Sequence, residues 1–290
     1  MDVVSELARW GETTAYDAMT SPFTPINDDH AIEQVVFSLA FGRTFSKEDM
    51  SAFRERHGLW SQELPAIREP MAVALAVETE KNLRFEQAPG LEFAVLRPDG
   101  SAVWALRVLG PEIIIECSRY SRWARVWSTA QRFTKAALEI IANLSDPPPL
   151  VRASLGVQDA FVAPIGAHDP ASLLQHGPLL PEAIFSRGPN WHAHSGWFAD
   201  ASGHTVLHNL NIDAVGALPG APVEGAMARV AILHLLSVTR TDAQASETPD
   251  ARLLWLDNLM SVLHQQNKSL IGELLIPELS QRIGLRGSNG

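Results

Sequence analysis

Apolar residues recur at Trp123, Val126, Trp127, Ala130, Phe133, Ala137, Leu138, Ile141 and Leu144. That i, i+3, i+4, i+7 spacing predicts an amphipathic helix over Ser121 to Leu144. Pro147, Pro148 and Pro149 follow and cannot continue it, because proline lacks the N–H and clashes with the preceding turn. A second stripe, Leu253, Leu256, Leu259, Met260, Leu263, Ile271, Leu274 and Leu275, predicts another long helix, capped by Asp250 and broken at Pro277. β-Branched and alternating runs predict strands at 32–41, 71–78, 91–96, 101–109, 112–118, 150–162, 183–187, 190–199, 204–215 and 228–240. Short helices are expected at 47–57, with Ser46 as N-cap, and at 171–176, with Asp169 as cap and Pro170 in the first turn. Pro98-Asp99-Gly100 and Asp200-Ala201-Ser202-Gly203 read as turns, 217–225 as a loop, 1–29 as a weakly patterned lead and 287–290 as a frayed tail.

Each half then reads strand, short helix, several strands, long helix. The links between strands are hairpin-length and no βαβ alternation appears, so antiparallel pairing is expected. The predicted fold class is α+β: two similar halves, each an antiparallel sheet covered by one long helix. The halves are residues 1–146 and 147–290, packed as one compact unit. This internal duplication rests on the order of elements, since the halves share no evident sequence identity.

Composition narrows the function. The chain has 290 residues, 46% of them hydrophobic, which is enough for a substantial core. No apolar run reaches the ~18 residues of a membrane span, and the first residues carry acids instead of a basic leader. One cysteine, Cys117, lies in an apolar run; it excludes an internal disulfide and suits a reducing cytoplasm. The net charge of −10 argues against duplex nucleic acid as partner. A local basic cluster remains, Arg119, Arg122, Arg125 and Arg132, read either as a solvated helix face or as a patch. The chain contains no GxxxxGK[ST], GxSxG, CxxC or HExxH, and no GxGxxG follows a strand.

The candidate chemistry is a polar strip. On a strand His192 and His194 share a face, because the side-chain period is two. If the turn pairs Ala199 with His204, His194 lies opposite Asn209 and His192 opposite Asn211, with Asp213 continuing the face. The other face then holds Trp191, Ala193, Trp197, Val206, Leu210 and Ile212. Three readings of the strip stay open: a solvated sheet face, a contact surface for a macromolecule, or a metal or acid–base site with Asp213 as third group. His204 and His208 fall on the opposite parity and are expected to make local hydrogen bonds. His234, inside an apolar strand, reads as a satisfied core histidine.

Three motifs carry a resemblance. They are Asn27 with Ala31-Ile32-Glu33-Gln34-Val35-Val36-Phe37, the segment Ile115 to Arg122, and Leu256-Asp257-Asn258-Leu259 with His264, Asn267 and Ile276-Pro277-Glu278 through Ile283-Gly284. On these the chain resembles a sporadically distributed family of uncharacterised bacterial and archaeal proteins. Members open with an N-P-[LI]-x-E-V-x-F strand, here without the proline, and close with an L-D-x-L-H-like helix. The resemblance brings no activity with it and implies an accessory role among mobile or defence-associated genes. The resulting expectation is a cytoplasmic, non-enzymatic module that binds a protein partner or itself, with no cofactor, no metal, no catalytic residue and no membrane. The alternatives are a metal-dependent hydrolase using the histidine strip and a binder of a small molecule held between sheet and helix.

Overall fold

A computed structural model describes residues 21–27, 29–79, 82–166, 168–216, 227–244 and 246–285, with backbone only for 71–89. In chain order the strands are β1 (Thr24–Pro25), β2 (Ile32–Phe41), β3 (Ala66–Arg68), β4 (Met71–Thr79), β5 (Asn82–Leu96), β6 (Ala102–Leu109), β7 (Glu112–Cys117), β8 (Leu150–Pro164), β9 (Trp191–Ala201), β10 (His204–Val215) and β11 (Met227–Thr239). The helices are α1 (Lys47–Glu55), α2 (Trp123–Ala142), α3 (Glu182–Phe185), α4 (Pro249–Leu274) and α5 (Pro277–Arg282). The expected lead 1–20, loop 217–225 and tail 287–290 lie outside the described residues.

The expectation of two halves, each an antiparallel sheet under its own long helix, is overturned. All eleven strands belong to one antiparallel sheet, ordered β3-β5-β6-β7-β2-β8-β11-β10-β9, with β1 on β8 and β4 on β5. β2 is the reason. It pairs with β7 on one side and with β8 on the other, from Ile32 opposite Asp159 to Phe41 opposite Leu150. Through the middle of that ladder the inward positions are apolar: Val35, Phe37 and Leu39 face Val157, Leu155 and Ala153. Separating the sheet here would expose them all, at roughly 25 cal/mol for each Å².

The two long helices form where the apolar stripes fall, but they share one surface. α2 and α4 pack against each other, with contacts to β7 from α2 and to β8 and β11 from α4. Trp127 of α2 donates its indole N–H to Asp257 Oδ1 of α4 at 2.7 Å. Local chemistry explains the ends. Ser46 and Asp49 form a reciprocal capping box on α1. The cap of α4 is Thr248, two residues before Asp250, since the Thr248 hydroxyl accepts from Ala251 N–H and Pro249 occupies the first turn. Residues 183–187, read as a strand, instead make the turn of helix α3, and the short helix expected at 171–176 is a 3₁₀ turn over Pro170–Ser172. Among the described residues no helix is long and apolar enough to cross a membrane.

Candidate anion cleft

The apolar core divides in two. One cluster includes Leu155, Val157, Val206, Leu236, Leu259 and Leu263; the other includes Phe161, Leu210, Ile232, Leu270 and Leu274. Four elements run through both clusters, and each changes from apolar to polar where it crosses between them. On β8 the inward residue between Val157 and Phe161 is Asp159. On β10 His208 stands between Val206 and Leu210. On β11 His234 stands between Ile232 and Leu236, and on α4 Asn267 stands between Leu263 and Leu270. All four side chains are buried, the most exposed at 4%. A polar seam therefore crosses the core.

Hydrogen bonds order much of the seam. His208 Nδ1 lies 3.1 Å from His234 Nε2, and His234 Nδ1 lies 3.0 Å from Asn267 Oδ1. Burial lowers the basicity of His208 and takes His234 down to about 4, so both rings are neutral near pH 7. A neutral His234 that donates from Nδ1 to the amide oxygen must accept at Nε2, so His208 donates from Nδ1. His208 Nε2 is then a buried acceptor with no partner, beneath the stacked Trp197 ring at 4.8 Å. That polarity leaves an orphan acceptor, which is tolerated better than an orphan N–H. It also leaves the Asn267 amide nitrogen free of the histidines.

Asn267 and Asp159 open into a cleft of about 890 Å³ between the start of β2, the N-terminus of α2 and the ends of α4 and α5. Arg122, Arg125, Lys268 and Arg282 rim it, with Asp29 as the one rim acid. None of the four cations forms an ion pair among the described residues, whereas several arginines elsewhere do: Arg107 with Glu92 and Glu116, Arg43 with Asp49, Arg240 with Glu247. Tyr120, His30, Trp123 and His264 also line the cleft. His264 stacks on Trp123 at 4.0 Å with planes 1° apart, and burial followed by the Lys268 charge lowers its pKa to about 4. Tyr120 packs edge-on to His30 at 5.1 Å, and burial, with the Asp159 charge behind it, raises its hydroxyl to about 12.

Asp159 is the unusual member. It is 3% exposed, its Oδ2 has no hydrogen-bond partner, and burial raises its pKa to about 7. A carboxyl held there keeps its proton well above the usual carboxylate range and, while protonated, is a donor at the cleft. A smaller hollow of about 480 Å³, lined by Asp169, His176 and Glu182 among others, has no lysine or arginine in its wall.

The sequence-predicted strip is assembled but lies elsewhere. His192, His194, Asn209, Asn211 and Asp213 share the opposite face of the sheet, with His192 and His194 exposed. The register differs by two residues from the expected one: His194 faces Asn211 and His192 faces Asp213. The turn explains this. Ser202 and Gly203 both have positive φ, 49° and 81°, and make a two-residue hairpin loop, so pairing reaches Ala201 with His204. An even shift preserves the faces. His192 Nδ1 bonds Asp213 Oδ1 at 2.6 Å, and His194 bonds the Asn211 side chain. Among the described residues no three His, Cys, Asp or Glu side chains converge as a metal site requires. His208, expected to bond locally, instead reaches His234 on the neighbouring strand.

The basic cluster is split. Arg122 and Arg125 reach the cleft, Arg132 pairs with Glu63, and Arg119 is exposed outside the cleft wall. Sequence reasoning missed Asp159, Lys268 and Arg282. A signal for Asp159 existed, since it occupies the parity of Leu155, Val157 and Phe161. Residues of all three resemblance motifs reach the cleft: Ala31 and Ile32, Tyr120 to Arg122, and His264, Asn267, Ile283 and Gly284. Scans against family models, curated proteins and solved structures gave no match.

Proposed function

We propose that the protein binds a small anion, phosphorylated or polycarboxylate, in this cleft. The observation that carries the reading is four cations, unpaired among the described residues, around one concavity of an otherwise acidic chain. Charge-assisted hydrogen bonds to carboxylate or phosphate are the strong ones, and arginine supplies them in bidentate form. The volume suits a metabolite-sized ligand, within the ~300–1,000 Å³ of ordinary ligand sites. The N-terminus of the 20-residue α2 adds backbone N–H groups with no helical partner beside Arg122. Asp159 and Asn267 supply donors at the floor.

Titration calorimetry with inorganic pyrophosphate at low salt tests this. The expected result is one site per chain, with affinity lowered at least ~10-fold in Arg122→Ala/Lys268→Ala, equivalent to about 1.4 kcal/mol. His192→Ala/His194→Ala should bind as the wild type does. Absence of pyrophosphate binding, or equal binding by the Arg122/Lys268 variant, would overturn the reading.

A further inference from the structure

At one end of the sheet β3 and β4, of three and nine residues, run along the same side of β5. At the other end β9 has eleven, in unbroken register with β10 from Trp191 to Ala201. β9 carries none of the usual protective devices: no proline, no lysine, no bulge and no inward charge. Among the described residues no strand pairs with its outer edge. Its inward side chains are also incompletely covered. Trp191, Ala193, Ser195, Trp197 and Ala199 are all only partly buried, whereas Val206, His208, Leu210, Ile212 and Ala214 beside them on β10 are buried. Phe198, on the opposite face, is 70% exposed.

We propose that β9 pairs antiparallel with β9 of a second copy, joining two sheets edge to edge about a two-fold axis at Gly196. A two-fold normal to the sheet keeps inward residues with inward residues, so the axis must fall on a residue and not between two. Centred on Gly196, the register pairs the whole strand, residue 191 with 201 and 192 with 200. It is complementary on both faces. On the outer face His192 meets Asp200 of the other copy twice, and His194 meets Phe198 twice. On the inner face Trp191 lies opposite Ala201, Trp197 opposite Ser195, and Ala193 opposite Ala199, so each large ring meets a small residue. Glycine stands at the axis, where two copies of the same side chain would otherwise collide. Shifting the axis to residue 195 removes the His192–Asp200 pair, and shifting it to 197 sets tryptophan against itself. His192 commits Nδ1 to Asp213, which leaves Nε2 to reach the second copy.

Sedimentation equilibrium gives the first readout: a particle of twice the 31.7 kDa chain mass. Phe198→Lys/Asp200→Lys, at exposed positions, should leave the circular dichroism spectrum unchanged and weaken the dimer at least ~10-fold, since the His192–Asp200 pair is lost and lysine on an edge strand opposes pairing with another chain. The register is read separately by His192→Cys/Asp200→Cys. These two positions are too far apart on one strand to join, and the native Cys117 is buried, so a disulfide can form only between copies. The expected product is a covalent dimer on a non-reducing gel. A wild type that stays monomeric at micromolar concentration, a dimer indifferent to the lysines, or cysteines that fail to couple would each overturn the proposal.

Discussion

Asp159 concentrates the conflict between stability and a binding role. Its folded pKa of about 7 stands well above the unfolded value of ~3.9. Between those two values the folded state keeps a proton that the unfolded state has lost, so stability falls as pH rises, and the loss is complete above the folded pKa. Asp159→Asn removes the titration and keeps the shape. It should raise the melting temperature near pH 8 and leave it unchanged near pH 4, by thermal unfolding at both. His234 acts in the opposite direction. Its lowered pKa means the folded state resists protonation, so its contribution is lost as pH falls from ~6.5 towards about 4. A plain leucine at position 159 would avoid that cost, which is why a role in the cleft is the better account of Asp159.

At the scale of elements, the β9–β10 hairpin shows what local sequence specifies and what it leaves open. Alternation identified the two faces, because tryptophans and aliphatic residues share one parity. The register needed the turn type, and Ser202-Gly203 is a weaker signal for a two-residue loop than Asn-Gly. Gly203 at φ 81° occupies the region that costs an L-residue about 1–2 kcal/mol. Gly203→Ala should therefore lower unfolding free energy by ~1 kcal/mol in a denaturant titration, with pyrophosphate affinity unchanged because the turn is remote from the cleft. α2 and α4 were legible for a different reason: twenty or more residues of consistent stripe average out local noise. α3 was not, since four residues carry no period.

At the scale of the molecule, the pairing of β2 with β8 decides the architecture, and no local pattern encodes it. Those strands are more than a hundred residues apart in sequence, and either would satisfy its own hydrophobic pattern in a separate sheet. Repeated element order therefore suggested two halves, each with its own sheet, where one sheet forms. The candidate site suffered in the same way. Tyr120, Asp159 and the pair Lys268 and Arg282 come from three distant segments, and only the folded chain brings them to one cleft. The histidine strip was visible because its residues are neighbours on one hairpin, and proximity in sequence is not evidence of function.

The account's central claim is that this cleft holds an anion with fixed cations and one titratable carboxyl. Sulfate is the sharpest probe, because its own charge does not change between pH 6 and pH 8, the interval that spans the Asp159 pKa of about 7. Its affinity should be measured by calorimetry near both pH values, at constant ionic strength, for wild type and Asp159→Asn. The account predicts tighter binding at the lower pH in the wild type, and a clearly smaller pH effect in the variant, whose amide stays neutral. Equal wild-type affinity at the two pH values, or a pH effect unchanged by the substitution, would contradict it.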